Sequence, residues 1–331
     1  MKIKDDTITT ANNAANTIDR SVDYSIVIPV FFNQGTLKKT YHILREEVIT
    51  RNPDRTCEVI FVDDGSRDGS LDELLQLKEA YPQENIKIIK FTRNFGQVAA
   101  IKAGYQMATG KCVINISADL QDPPGLINQM LDHFYNDNYE VVVCTRESRD
   151  EAYLKRKTSR MFYGIIKRLS FTNMPIGGFD FVLISNKVKT IILDRPESNP
   201  FWQGQVLWPG YSVKFIPYQR RKREIGRSRW TFSRKVKYLI DGVMSYSYFP
   251  LRLISITGIL VALGGFLYAA IIFFARLFGN IRITGWAPLM IVVLMLSGIQ
   301  MLMLGVIGEY LWRTLDQVRN RPPYIIEKIY D

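Results

Sequence analysis

Between residues 24 and 144, short apolar runs rich in Val, Ile and Phe alternate with segments whose apolar residues recur at helical spacing. The predicted strands are residues 24–30, 59–62, 86–91, 112–116 and 140–144, and the predicted helices are residues 37–50, 70–80, 97–108 and 125–135. Further strands are predicted after residue 180 and near residues 213–216. Alternation of this kind predicts an α/β fold, with a mostly parallel sheet covered by helices on both faces.

Two long apolar runs without charged side chains follow, at residues 253–275 and 287–308. Each is longer than the roughly 20 residues that a helix needs to cross about 30 Å of hydrocarbon. Buried core helices are the alternative, but globular helices of this length usually carry polar residues on one face. Because the connector, residues 276–286, is short, the two runs predict a transmembrane hairpin with both flanks on one side of the membrane.

Basic residues are concentrated in the flanks of this hairpin, and the connector holds only Arg276 and Arg282. The positive-inside rule then places the bulk of the chain and both termini in the cytoplasm, as in a multi-pass protein of a bacterial inner membrane. The net charge of +11 also raises the possibility of nucleic-acid binding. However, much of the excess lies at residues 214–237, directly before the first run, where anionic lipid or phosphorylated ligands are the expected partners. We therefore expect a lipid bilayer, and no nucleic acid, as a partner.

The changes in composition divide the chain into five parts. Residues 1–23 are polar, lack the apolar core of a signal peptide and are predicted to be a mobile tail. Residues 24–229 form the cytoplasmic α/β domain, and residues 230–250, where aromatic and basic residues alternate, form a juxtamembrane amphipathic helix in the membrane interface. The hairpin spans residues 251–312, and residues 313–331 form a cytoplasmic tail. The three cysteines show no metal-ligand spacing and are predicted to be buried free thiols.

The polar residues that could bind a ligand or take part in a reaction follow the predicted strands, at the edge where ligands bind in parallel sheets. The oxygen-rich turn around Asp119 and Gln121 follows the fourth strand and is followed by two prolines. Carboxylate and amide oxygens bind hard divalent cations and, through them, diphosphates. A solvated turn in which Asp caps a helix is the alternative. The segment after the first strand has no glycine-rich phosphate turn, which argues against a dinucleotide-binding dehydrogenase.

Six short motifs occur in order ahead of the hairpin: Val27-Ile28-Pro29-Val30, Val62-Asp63-Asp64-Gly65-Ser66, Arg93-Asn94-Phe95-Gly96-Gln97, Ala118-Asp119-Leu120-Gln121-Asp122-Pro123-Pro124, Gly178-Phe179 and Gly226-Arg227-Ser228-Arg229-Trp230. With these motifs, the chain from residue 24 to its end resembles a family 2 glycosyltransferase of the polyisoprenyl-phosphate type. This group includes dolichyl-phosphate mannose synthases and bactoprenol glucosyltransferases, and residues 305–310 point to the latter. The resemblance implies a GT-A fold, a nucleotide-sugar donor, Mg²⁺ or Mn²⁺, and commonly a homotetramer.

Two positions depart from the family pattern. Asn33 stands where the family has a carboxylate in its first loop, and Ser117 replaces the first carboxylate of the usual Asp-X-Asp metal motif. The metal would then be held by Asp119, Gln121, the donor diphosphate and water. So few ligands from the protein suit Mg²⁺, which keeps several waters and substrate phosphates in its coordination shell.

The resemblance also implies roles for individual residues. Asp64 is expected at the base, Asp63 nearer the ribose, and Arg93 at the base or diphosphate. Arg223 is expected to stabilise the leaving diphosphate, with a membrane-facing basic stripe as the alternative. Asp180 either contacts sugar hydroxyls, orients an acceptor arginine or caps a strand. The donor-binding residues are Pro29, Phe31, Asn33, Asp63, Asp64, Arg93, Ala118 and Asp119, and the catalytic residues are Asp119, Gln121, Arg223 and Asp180.

The acceptor needs no strong general base, because a phosphate monoester has a second pKa near 6 and is charged at neutral pH. His42 and His133 are accordingly expected to be structural. Arginine pairs two phosphate oxygens at once, and about two of the four candidate arginines are expected to touch the ligand by analogy with other phosphate clamps. The candidates for the acceptor phosphate are Arg146, Arg149, Arg156, Ser159 and Arg160.

The sequence therefore predicts an inverting transferase that moves a sugar from a nucleotide sugar to polyisoprenyl phosphate, with UDP-glucose and undecaprenyl phosphate preferred on resemblance. Mannose, galactose, N-acetylhexosamine and aminoarabinose stay open as the sugar. A processive polysaccharide synthase is disfavoured because Arg229-Trp230 lacks the upstream glutamine of that class and one hairpin cannot enclose a pore. A non-catalytic scaffold or lipid transporter is the remaining alternative, although the apolar runs hold no charge for transport.

Overall fold

The computed structural model describes residues 22–146, 164, 174–175, 178–194, 197–198, 200–221, 240–278 and 285–331. The strands are β1 (Tyr24–Val30), β2 (Cys57–Asp63), β3 (Asn85–Phe91), β4 (Cys112–Asn115), β5 (Val141–Arg146), β6 (Val182–Ser185), β7 (Val213–Tyr218) and β8 (Ile326–Tyr330). The helices are α1 (Leu37–Leu44, continued by a π-helical turn at Arg45–Ile49), α2 (Ser70–Ala80), α3 (Gln97–Met107), α4 (Leu126–Tyr135), α5 (Asn186–Asp194), α6 (Trp202–Leu207), α7 (Phe249–Phe278) and α8 (Trp286–Val318). The strands and helices predicted up to residue 144 are present, with ends that differ by a few residues.

The described strands form one eight-stranded sheet in the order β7-β5-β6-β4-β1-β2-β3-β8. Strand β1 lies near its centre and pairs in parallel with both β2 and β4, and β2 pairs in parallel with β3. Strand β6 runs antiparallel to β4 and β5, and β8 runs antiparallel to β3. The prediction of an α/β fold with a mostly parallel sheet is confirmed.

Two apolar cores cover the two faces of this sheet. Alternate residues of β1 point to opposite faces, so that Ile26 packs in one core with α1 and α4, while Val27 packs in the other with α3. Both residues are fully buried. Burial on both faces explains why the central strands are mostly apolar instead of alternating regularly with polar residues.

The two helices α7 and α8 contain the predicted transmembrane runs. Residues Phe249–Phe274 and Met295–Val318 are candidate membrane spans with mean hydropathies of 2.3 and 1.3, and neither is buried within the protein. Arg313 of α8 pairs with Asp241, at 2.7 Å, and so fixes the end of α8 to the helical residues 240–246. Residues 1–21, and residues 230–239 of the predicted interfacial helix, lie outside the described residues.

The segment predicted to be a C-terminal tail contains regular structure. Helix α8 continues to Val318, and strand β8 then pairs with β3. Tyr324 stacks on Phe91 with ring centroids 5.2 Å apart. The sequence gives little sign of β8, because this strand is only five residues long and two of its three exposed positions hold charged residues, as is usual at a sheet edge.

Gly104 marks the closest approach of α3 to the sheet, where an added Cβ would overlap the side chain of Val27. We expect Gly104→Ala to lower the free energy of unfolding by about 1–3 kcal/mol, the usual cost of overpacking. The measurement is the melting temperature of the detergent-purified protein. Gly264→Ala in α7 is the matched control, because its added carbon meets no atom within 4 Å. Equal melting temperatures for the two variants would contradict the packing described.

Candidate active site

The parallel pairing of β1 with β2 and β4 brings three predicted site segments to one edge of the sheet. Val30 is in register with Asp63 at the ends of β1 and β2, and the turn of Asp119 follows β4. Pro29 lies half-buried within β1, and Ala118 is buried. The backbone oxygen of Ala118 accepts a hydrogen bond from Thr40 Oγ1 at 3.0 Å, which fixes the Asp119 turn to α1.

The loop after β1 is held by its own side chains and by the neighbouring loop. Asn33 Oδ1 accepts a hydrogen bond from the Phe31 amide at 2.9 Å. Ser66 Oγ accepts one from the Phe32 amide at 3.1 Å. Asn33 thus has a local structural role in this loop at the position where the family has a carboxylate.

Asp63, at the end of β2, has one carboxylate oxygen that is buried and without a hydrogen-bond partner among the described residues. Its Oδ1 accepts a hydrogen bond from the Ser66 amide at 3.1 Å, whereas its Oδ2 is buried and has no hydrogen-bond partner among the described residues. Burial raises the pKa of this carboxyl. A buried unpaired acceptor is costly, so Asp63 Oδ2 is suited to receive an N–H or O–H group of a ligand.

The neighbouring carboxylate, Asp64, holds the loop that follows β3. Its two oxygens accept hydrogen bonds from the amides of Phe95, at 2.6 Å, and Gly96, at 2.9 Å, and from the Asn94 side chain. Arg93 lies over the Phe95 ring, 4.2 Å from its centroid. Asp64 therefore positions the loop that carries Arg93, and its expected contact with a nucleotide base stays a prediction.

The acidic turn after β4 is organised by Ser117. Its hydroxyl donates to Asp122 Oδ2 at 2.6 Å and lies 2.9 Å from Asp119 Oδ1, so it contacts both carboxylates of the turn. Leu120 adopts a positive φ of 57°, which lets the chain turn back so that the Gln121 amide donates to Asp119 Oδ1 at 3.3 Å. The serine that replaces a family carboxylate thus orders the turn.

Asp122 was not predicted as a site residue, although it stands in the Asp119 motif. It is 1% exposed and pairs with Arg220 at 3.0 Å, and the Tyr218 hydroxyl donates to it. Burial alone would raise its pKa, but Arg220 and Arg146 lower it below the ordinary value. Asp122 is therefore an ionised structural anchor that fixes the acidic turn to the end of β7.

Gln121 makes a second connection between these segments. Its backbone oxygen accepts from the Arg221 amide at 2.9 Å, and its side-chain amide donates to the Arg221 backbone oxygen at 3.2 Å. The segment held in this way leads directly towards Arg223. Arg223 lies outside the described residues, as do Arg149, Arg156, Ser159 and Arg160 among the predicted acceptor-binding residues.

Arg146 and Asp180 meet at the same edge, because β5 ends there and β6 begins there. Arg146 Nη2 lies 2.6 Å from Asp180 Oδ2, and the Asn115 side chain donates to the Asp180 backbone oxygen. Burial alone would lower the pKa of Arg146, but Asp180 and Tyr218 raise it above the ordinary value. Of the three roles foreseen for Asp180, this contact supports the orientation of an arginine.

The oxygen donors of the acidic turn fit a hard divalent cation. Asp119 and Gln121 carry carboxylate and amide oxygens of this kind, whereas Asp122 is committed to Arg220 and Tyr218. Among the described residues, no group of three or more His, Cys, Asp or Glu is placed to hold a metal ion. Few carboxylate ligands in the described part of the chain suit Mg²⁺, which keeps water and substrate phosphates in its shell.

A mostly parallel α/β sheet with acidic turns at its carboxyl edge agrees with a GT-A glycosyltransferase fold. The model of the family described as glycosyl transferase family 2 matches residues 25–190, half of the chain. The chain belongs to this family, and it is a glycosyltransferase enzyme.

Relatives match nearly the whole chain. The "Uncharacterized glycosyltransferase YkcC" of Bacillus subtilis is 38% identical, over 95% of this chain and 96% of its own. The "Prophage bactoprenol glucosyl transferase homolog" of Escherichia coli is 33% identical over 92% and 98%. The "Bactoprenol glucosyl transferase" of Shigella phage SfII is 34% identical over 92% of this chain and 97% of its own.

Among solved structures, glucosyl-3-phosphoglycerate synthase of Mycobacterium tuberculosis has a TM-score of 0.48 at 14% identity. The match covers 69% of this chain and 80% of that one, and the likeness is too low to support an argument.

The pH dependence of stability tests the position of Asp64. Burial raises its pKa from 3.8 to about 6, so the folded protein retains a proton that the unfolded chain releases. The stabilisation from this group is therefore full below about pH 4 and is lost as pH rises through about 6. Relative to Asp64→Asn, we expect the melting temperature of the wild type to fall across this window and to stay constant above pH 7.

The matched control for this titration is Asp54→Asn, which changes an exposed carboxyl. Its melting temperature should follow that of the wild type across the same range. If the difference between the wild type and Asp64→Asn stayed constant from pH 4 to pH 7, Asp64 would not be buried against the loop after β3.

Proposed function

We propose that the protein transfers a sugar from a nucleotide sugar to polyisoprenyl phosphate at the cytoplasmic face of the membrane, with inversion at the anomeric carbon. The observation that carries the proposal is the connection between the acidic edge and the apolar hairpin. Strand β8, which follows directly from α8, pairs with β3, and β3 leads into the loop of Arg93. A site for a water-soluble donor is thereby built onto helices long enough to reach a lipid acceptor.

The choice of lipid and sugar rests on the relatives. Two of those named above are bactoprenol glucosyl transferases by name. Undecaprenyl phosphate as acceptor and UDP-glucose as donor are therefore the preferred pair, and another hexose or aminoarabinose is the alternative. The uridine is proposed to lie between Phe31 and the loop of Arg93, with Asp63 Oδ2 accepting a hydrogen bond from it.

Asp119 and Gln121 are proposed to hold Mg²⁺ or Mn²⁺ together with the donor diphosphate. The cation supplies positive charge that stabilises the leaving nucleoside diphosphate. Ser117 is proposed to keep Asp119 in place, since its hydroxyl contacts Asp119 and is itself held by Asp122. Arg223 is proposed to add a second positive charge to the leaving group.

The acceptor phosphate is proposed to bind Arg146, which Asp180 orients, together with Arg149, Arg156, Ser159 and Arg160. Its ionised oxygen attacks the anomeric carbon, and the bond to the diphosphate breaks on the opposite side of the sugar, which inverts the configuration. Because the nucleophile is already charged, the protein contributes chiefly position and charge stabilisation.

The remaining proposals concern location and assembly. The hairpin is proposed to cross a bacterial inner membrane twice, with the catalytic domain and both termini in the cytoplasm, following the charges of the flanks. The predicted interfacial helix at residues 230–250 would lie between the domain and the bilayer. A homotetramer is proposed from the family resemblance.

The function is tested with the purified full-length protein, undecaprenyl phosphate, Mg²⁺ or Mn²⁺, and a panel of nucleotide sugars labelled in the sugar. We expect an organic-extractable product from one donor, with UDP-glucose first among them. Asp119→Ala should lower the rate by about a hundredfold or more, because loss of one preorganised electrostatic contact commonly costs that much.

The matched control is Asp132→Ala, which removes an exposed carboxylate on α4 and should leave the rate unchanged. Transfer to free sugars in preference to the lipid would overturn the proposed acceptor. No product from any donor would instead favour the scaffold, and an active Asp119→Ala variant would overturn the role given to Asp119.

A further inference from the structure

A cavity of about 740 Å³ lies beside the acidic edge, between α3 and the cytoplasmic end of α8. Its volume falls within the range of about 300–1,000 Å³ that is usual for small-molecule sites. Arg93, Gly96 and Asp180 form the side towards the sheet edge, and residues 316–317 and 320–323 form the opposite wall. The cavity therefore adjoins the proposed donor site and is closed on one side by the chain that emerges from the membrane hairpin.

Three side chains of the cavity lining carry a polar atom that has no hydrogen-bond partner among the described residues. Lys102, on α3, is 4% exposed and has no hydrogen bond or ion pair with any described residue. Trp202 is 2% exposed, and its buried Nε1 has no partner in the described part of the chain. Glu197 Oε1 accepts from the Tyr246 hydroxyl at 2.8 Å, but its buried Oε2 is also without a described partner.

Groups buried in this way destabilise the protein unless something satisfies them. Burial lowers the pKa of Lys102, and Glu197 is the neighbour that opposes the shift. Two donor side chains and one acceptor therefore line the same cavity. The complementary occupant must offer at least two acceptors and one donor.

This requirement distinguishes between the chemical groups of the proposed substrates. A phosphate would accept from Lys102 and Trp202, but it has no proton for Glu197 and would be repelled by that carboxylate. Two other carboxylates of the lining are already paired, Asp180 with Arg146 and Asp241 with Arg313. A neutral sugar satisfies all three groups, because each hydroxyl both donates and accepts.

We infer that this cavity is the subsite for the sugar of the nucleotide-sugar donor, in which Lys102 and Trp202 donate hydrogen bonds to its hydroxyl groups and Glu197 accepts one. The inference rests on the proposed function. It adds to that function a set of residues on α3 and α6 that recognise the sugar, separate from the carboxylates that hold the diphosphate.

The test compares UDP-glucose with UDP by titration calorimetry on the full-length protein in detergent with Mn²⁺. In Lys102→Met and Trp202→Phe, UDP should bind as in the wild type. The affinity for UDP-glucose should fall by about tenfold or more in Lys102→Met, as expected for loss of a hydrogen bond from a charged group, and by less in Trp202→Phe. The sugar, and not the nucleotide, would then depend on the cavity.

Matched controls remove the same groups elsewhere: Lys187→Met on α5 and Trp208→Phe, both exposed. They should bind both ligands as the wild type does. Unchanged affinity for UDP-glucose in Lys102→Met and Trp202→Phe would overturn the inference alone and assign the cavity to water. If the wild type failed to bind UDP-glucose at all, both the proposed donor and this subsite would be overturned.

Discussion

The parallel pairing of β1 with both β2 and β4 is the constraint on which the site depends. It aligns the end of β1 with Asp63 at the end of β2 and starts the Asp119 turn at the same edge. The antiparallel strand β6 then returns the chain to this edge, so that Asp180 meets Arg146 at the end of β5. Residues separated by more than 100 positions are therefore assembled by strand register, and each helix between them serves mainly to cover a face of the sheet.

Two carboxylates at this edge have structural roles that their sequence motifs do not reveal. Asp64 holds the loop after β3 through two backbone amides, and Asp122 is buried with Arg220 and Tyr218. These anchors are fully engaged, so the proposed ligand contacts are assigned to Asp63 Oδ2 and to the Asp119 turn instead. The proposed chemistry thus relies on few groups whose positions are strongly determined by their neighbours.

The apolar pattern was sufficient to predict the strands of the first 144 residues, both long helices and the edge where the site lies, because burial on two faces leaves a strong signal. Strand β8 escaped prediction, since an exposed five-residue edge strand has no such pattern. Asp122 lies in a recognised motif, but its partners, Tyr218 and Arg220, lie at and just after the end of β7, almost 100 residues later. Lys102 looked like an ordinary polar position of a helix. Its burial follows from the packing of α5, and of Trp202 on α6, against α3, which local sequence does not encode.

The central claim is that the sugar alone, and not a sugar phosphate, passes from the nucleotide to the lipid phosphate. The most direct measurement uses a donor labelled both in the sugar and in the β-phosphate, followed by extraction of the lipid. The account predicts that the sugar label enters the lipid fraction while the phosphorus label remains with the released nucleoside diphosphate. Recovery of both labels in the lipid would mean transfer of a sugar phosphate, and it would contradict the roles assigned to Asp119 and to the acceptor arginines.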